Sequence, residues 1–152
     1  MDIKNILYIF LCSMVPIIEL RGAIPMGAAL DIPFYINYII SVVGNMLPVP
    51  FILLFIKQIF KWLKKIPFCE KIVTKLENRA MGKSDSIKRY EFWGLALFVG
   101  IPLPGTGAWT GSLIAALLEI DFKKAVLSEL IGIAMAIIIM SIVSYGLLGL
   151  IL

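Results

Sequence analysis

Three stretches of this chain run almost without charge over lengths that constrain its fold more than any other feature. Pro33 to Ile56 and Phe92 to Leu118 hold no charged residue, and Ala125 to Leu152 holds only Glu129. A helix of ~20 apolar residues crosses the hydrocarbon core of a bilayer, so each stretch is long enough to span. Composition agrees: 61% apolar residues and a mean hydropathy of +0.98 exceed what a soluble domain of 152 residues needs to close its core. The chain therefore reads as an all-α integral membrane protein with lipid as its solvent.

Asn5 to Leu30 is different. Fourteen uncharged residues run into Glu19-Leu20-Arg21, and nine more follow before Asp31, which does not describe a plain span. A cleaved signal peptide, processed near Gly27 to Ala29, is the other reading, but Glu19 and Arg21 would fall just after its apolar region.

The net charge of +4 is unevenly spread. Ten of the fourteen Lys and Arg lie between Lys57 and Glu91, against Glu70, Glu77, Asp85 and Glu91, leaving that linker at +6. Basic cytoplasmic loops beside spans are ordinary, and no nucleic-acid partner is expected. Cys12 and Cys69 have no metal-ligand spacing, and no bridge is expected between them. The absence of histidine excludes the usual zinc centres and Ser-His or Cys-His catalysis, so neither a metal, a cofactor nor an enzyme is expected.

An offset of 88 residues places Pro16 on Pro104, Ala28 on Ala116, Leu30 on Leu118, Ile32 on Ile120, Phe34 on Phe122 and Gly44 on Gly132, with Asp31 meeting Glu119. Each copy has a Pro/Gly-rich break, a short apolar helix, an acidic turn ending in Phe, and a long span. Residues 1–56 then form a first membrane repeat, 57–91 a basic linker and 92–152 a second repeat. If all four apolar segments cross, the linker and both termini are cytoplasmic, both acidic turns face outward, and Lys123 and Lys124 fall on that outer side, against the positive-inside rule. If Asn5 to Leu30 and Phe92 to Leu118 are instead re-entrant hairpins, each followed by one crossing helix, the repeats are inverted, both termini lie outside, and Lys123 and Lys124 become cytoplasmic. The positive-inside rule favours this second arrangement, which many secondary transporters share. In the linker, Ile59, Phe60, Leu63 and Ile66, then Ile72, Val73, Leu76 and Ala80, share an apolar face, with Pro67 between the pieces and Gly82 after them. An interfacial amphipathic helix and a solvated loop both fit that pattern.

The first break, Pro16 to Pro25, carries Glu19 and Arg21. Two apart on a helix, they would face opposite sides, and each charge at mid-depth costs ~2.5 to 3.5 kcal/mol, so the backbone is expected to turn here, at Gly22 and before Pro25. The second break, Gly100 to Ser112, is uncharged. Its free amides around Pro104-Gly105-Thr106-Gly107, opening a short helix with Thr110 and Ser112, suit an anion. Facing Arg21, they would make an anion site at membrane depth with Glu19 as proton or cation carrier. A satisfied Glu19/Arg21 ion pair in a closely packed protein is the alternative. Asn45 and Pro48-Val49-Pro50 predict a kinked first span beside the site. Trp109 fits either the pocket or an interfacial anchor. Glu129, about a turn beyond Lys124, reads as its snorkelling partner.

At both breaks, and at Gly44-Asn45-Met46-Leu47-Pro48-Val49-Pro50, the sequence resembles the small multidrug export protein family, over nearly the whole chain apart from the linker. It also looks like a compact relative of the DedA and VTT-domain superfamily. That resemblance implies paired re-entrant hairpins, the cytoplasmic membrane of a prokaryote, and translocation of lipid phosphates or phospholipid scrambling. The superfamily has an arginine in its second hairpin; none follows Pro104-Gly105 here, and the nearby one is Arg21. The expected function is transport of an amphiphilic anion such as a polyprenyl phosphate, possible proton coupling lying with Glu19. A proton-coupled exporter of cationic drugs and a non-transporting scaffold are the alternatives. Membrane lipids are the expected partners, and a homodimer would enlarge the small volume that one hairpin pair encloses.

Overall fold

The computed structural model describes residues 2–146. Among them the chain is helical in the order α1 (Ile3–Met14), α2 (Glu19–Ala29), α3 (Phe34–Met46), α4 (Pro48–Leu63), α5 (Pro67–Met81), α6 (Asp85–Tyr90), α7 (Phe92–Gly100), α8 (Ala108–Leu117) and α9 (Phe122–Ser141), closed by a π-helical turn at Ile142–Gly146. Helices α1, α2, α7 and α8 have 12, 11, 9 and 10 residues. At the α-helical rise these reach only ~14 to 18 Å, about half of a bilayer core. Two runs are long and apolar enough to cross: Phe34–Leu63, interrupted at Leu47, and Phe122–Gly146. The interruption falls where Pro48 and Pro50 each withhold a backbone donor.

The 88-residue offset holds at the starts of α3 and α9 and at the turns before them. Phe34 and Phe122 open α3 and α9. Asp31 and Glu119, which close α2 and α8, both take left-handed backbone, at φ 54° and 60°. At both turns an amide reaches back five residues: Ile32 N–H donates to Gly27 O and Ile120 N–H to Ala115 O, each at 3.0 Å. Gly44 lets α3 approach α1, and Gly132 lets α9 approach α7. A methyl group at the first would lie 2.8 Å from the Phe10 carbonyl oxygen, and at the second 2.6 Å from that of Ala96. Small residues at such contacts are how apolar helices pack without a hydrophobic drive between them.

On α3 polarity is reversed from that of a helix on a soluble protein. Its polar residues Asn37, Ser41 and Asn45 are buried, four apart, while Tyr35, Ile39 and Val43 are exposed. The exposed apolar stripe continues along α4 through Leu47, Phe51, Leu54 and Phe55. Water would penalise such a surface, and lipid would not.

Three expectations change. The first turn lies at Val15 to Ile18, and the left-handed residue is Glu19, at φ 49°, not Gly22; helix α2 runs on through Gly22 and Pro25. Of the two readings of the basic linker, the solvated loop falls: α4 continues to Leu63, and α5 buries Val73 and Ala80 as it packs on α4 and α8. Glu129 does not pair with Lys124. It is fully buried, and Lys124 reaches Glu91 instead. A further pair, Lys57 with Glu119 at 2.5 Å, ties the linker end of α4 to the turn before α9; the hydrogen bond and charge of Lys57 hold the Glu119 carboxyl below its usual range. Both cysteines are free, Cys12 buried and Cys69 half-buried.

Candidate functional site

The two breaks meet, and each charge of the first is answered by the backbone of the second. Glu19 opens α2 with only 4% of its surface exposed, and its Oε1 accepts the Trp109 N–H at 3.1 Å. This carboxylate therefore sits at the N-terminus of α8, where free amides and the helix dipole favour negative charge. Gly107, at φ 134°, makes room for it, because any Cβ there would overlap the carboxylate. Trp109 returns the contact: its indole Nε1–H donates to the carbonyl of Met14, the last residue of α1, at 2.9 Å.

Arg21 addresses the other end. Its guanidinium donates to the carbonyls of Val99 at 3.0 Å, Ile101 at 3.1 Å, Leu103 at 3.1 Å and also Thr106. These oxygens lie where α7 ends and the chain turns toward α8; those of Ile101 and Leu103 also accept the N–H of Leu103 and of Thr106, and a planar fork of N–H groups can serve several of the four at once. Thr106 Oγ1 lies 2.9 Å from the carbonyl oxygens of Ile101 and Leu103 alike and donates its one proton to one of them.

Glu19 and Arg21 do not form an ion pair with each other. Among the described residues the ion pairs are Lys57–Glu119, Lys64–Glu77 and Lys124–Glu91. Nor do Arg21 and the α8 amides jointly face an open anion site. The guanidinium is taken up by carbonyls, and an amide at the start of α8 already holds the Glu19 carboxylate.

Beside these contacts lies a cavity of ≈ 370 Å³ whose walls include Ile17, Glu19, Arg21, Thr106, Thr110 and Arg79. Pro104 and Gly105 lie at its rim. Through Pro16 and Thr110 it adjoins a second cavity of ≈ 360 Å³, walled by Ile52, Ile56, Phe60, Leu76, Trp109 and Leu113. The cleft thus has a polar end between the breaks and an apolar end between α4, α5 and α8. Four expected site residues line neither cavity: Gly107 backs the Glu19 carboxylate, Gly22 and Pro25 are interior to α2, and Asn45 is buried on α3, its Oδ1 without a hydrogen-bond partner among the described residues.

Sequence reasoning missed what the linker contributes. Arg79, near the end of α5, lines the polar cavity and has no hydrogen bond or ion pair among the described residues. Lys83, four residues on, donates to the Gly105 carbonyl at 2.8 Å. Their spacing puts both on one side of a helical turn, but only the packing of α5 on α8 brings that side to the second break.

The sequence profile of a family described as "Putative small multi-drug export protein" matches residues 19–139, which hold the first break from Glu19 onward, the linker, the second break and most of α9. No curated protein and no solved structure matches the chain.

Proposed function

The chain belongs to the family described as putative small multi-drug export proteins, and from that premise we propose that it carries an amphiphilic anion, a lipid-linked phosphate, across the bilayer. The family points to a transporter rather than an enzyme. The substrate reading rests on one observation: a polar cavity with Arg79 on its wall, and with Lys83 bonded to Gly105 beside it, shares Pro16 and Thr110 with an apolar cavity. A phosphate headgroup would meet Arg79 first, since Arg21 is committed to carbonyls. Its hydrocarbon chain would lie along Ile52, Ile56, Phe60 and Leu113.

Proton coupling follows from the position of Glu19. As a carboxylate it occupies the amide end of α8; on taking a proton it keeps only a weaker, neutral hydrogen bond there, which an incoming phosphate can displace. The vacated amides then accept the phosphate, because a helix N-terminus with free N–H groups binds anions. Proton entry and anion entry are thereby linked at one helix end.

In this reading the breaks belong to two re-entrant hairpins of inverted orientation, each followed by a crossing helix. Helices of about half the bilayer thickness fit hairpins that enter and return. The Lys57–Glu119 pair also supports it, since it keeps the turn before α9 on the linker side of α4. Single cysteines at positions 31 and 121, in a background without Cys12 and Cys69, are expected to react with a membrane-impermeant reagent from opposite faces. Labelling from the same face would end the inverted arrangement.

The transport reading is tested by reconstituting the full chain with a fluorescent polyprenyl phosphate and, separately, a cationic dye, with the pH gradient on and off. Wild type is expected to move the phosphate, faster with the gradient. Arg79→Ala should slow it about tenfold, the ~1.4 kcal/mol of one lost charge-assisted contact, while inserting normally. Glu19 on the cleft wall favours a second reading, export of cationic drugs in exchange for protons. Movement of the dye without the phosphate would assign the protein to that class, and movement of neither would remove both.

A further inference from the structure

Glu129 is the most deeply buried charged residue among those described, fully enclosed on α9, and the transport scheme above gives it no task. Its environment is specific. The Ser112 hydroxyl oxygen lies 2.9 Å from one carboxyl oxygen and 3.0 Å from the other. A serine hydroxyl has one proton to donate, so it satisfies one of the two oxygens as donor. The second contact becomes a hydrogen bond only when that carboxyl oxygen carries a proton and the serine accepts it.

No cation offsets a charge at this place. Arg21 on α2 is held by its four carbonyls. Lys57 on α4 is paired with Glu119, and Lys124 on α9 with Glu91 ahead of α7. Helices α3, α7 and α8 carry no charged residue, and Lys123, one turn and a half earlier on α9, is exposed. The other carboxyl that bonds to α8 is that of Glu19, of like sign. Both carboxyls bond to the same helix: Glu19 to the Trp109 amide and Glu129 to the Ser112 hydroxyl, three residues or ~4.5 Å of rise apart. Gly111 lies between Trp109 and Ser112 on α8, and a methyl there would stand 3.7 Å from Glu129 Oε1, against the side chains of Val99 and Leu95.

The geometry points to Glu129 and Ser112 as a second proton-binding site, internal to the helices and one turn of α8 from Glu19. The ligand is a proton, held on one carboxyl oxygen and accepted by the Ser112 hydroxyl, which donates in turn to the other oxygen. Because the two carboxyls repel when both are ionised, a proton on either one favours ionisation of the other. The pair therefore shares protons as a coupled unit, whichever substrate uses the cleft.

Infrared spectroscopy of the full chain in lipid reads this without any substrate, because a protonated carboxyl has a C=O stretch separate from the carboxylate bands. At neutral pH the wild type is expected to show such a band, to shift it in D₂O, and to lose it as the pH is raised. Glu129→Gln should lose the band, Ser112→Ala should shift its frequency, and Glu19→Gln should keep it while moving its midpoint. Spectra identical in wild type and Glu129→Gln would overturn the assignment, as would a band indifferent to D₂O. Should Glu129→Gln fail to insert, Ser112→Ala decides: a band unmoved by loss of the hydroxyl is not that of Glu129.

Discussion

Replacing Arg21 by alanine is expected to cost about 2 to 4 kcal/mol of stability and to separate the two breaks, read as a lowered unfolding midpoint of the purified chain in detergent. The magnitude follows from what the guanidinium satisfies. Four carbonyls at the end of α7 and in the following turn receive it, and the contacts with Val99 and Thr106 are partly buried. A buried acceptor left without a donor costs ~1 to 3 kcal/mol, whereas the more exposed carbonyls of Ile101 and Leu103 can turn to water at little cost. Arg21→Lys should recover only part of the loss, because an ammonium is a point donor and cannot span four oxygens that a planar fork reaches together. An alanine variant as stable as wild type would show that the carbonyls are satisfied by other means.

Glu19→Gln is expected to reduce transport to background while leaving folding close to wild type. A glutamine has the same length, and its Oε1 can still accept the Trp109 N–H, so the cap on α8 survives. What disappears is the charge and the capacity to exchange a proton. Glu19→Ala is the contrasting variant: it removes the cap as well, worth ~1 kcal/mol for a helix N-terminus, and leaves a residue at positive φ without the contact that holds it there. Transport by the glutamine variant at the wild-type rate, with pH-gradient dependence intact, would reduce Glu19 to a structural cap. The alanine variant would then fail through stability alone, which the detergent midpoint would reveal.

Some of the site was legible in the chain. Glu19, Arg21, Thr106, Gly107, Trp109 and Thr110 stood out because charges, hydroxyls and Pro/Gly runs interrupt apolar segments, and all six take part in the junction of the two breaks. Their roles were not legible. Arg21 finds its acceptors 78 to 85 residues away, and Glu19 finds the Trp109 amide 90 away. Side-chain chemistry alone suggests that the two charges attract each other; whether a free amide or carbonyl lies closer depends on how the hairpins dock. Gly22 and Pro25 show the same limit from the other side. Both residue types permit a break, yet packing of α2 against α3 and α9 keeps them helical, and the strained dihedral moves to Glu19, where a capping contact accompanies it.

By itself the sequence determined the solvent and the local plan: spans set by apolar length, turns set by proline, glycine and acidic residues, and an 88-residue recurrence that the helix starts at Phe34 and Phe122 obey. These are properties of neighbouring residues, and backbone hydrogen bonding acts over a few positions. Only the tertiary structure decided that α5 folds onto α8 with Arg79 and Lys83 at the cleft, and that Glu129 points inward to Ser112 and not out to Lys124. Those outcomes depend on which faces of distant helices meet, and helical periodicity tells where a face lies without telling what covers it.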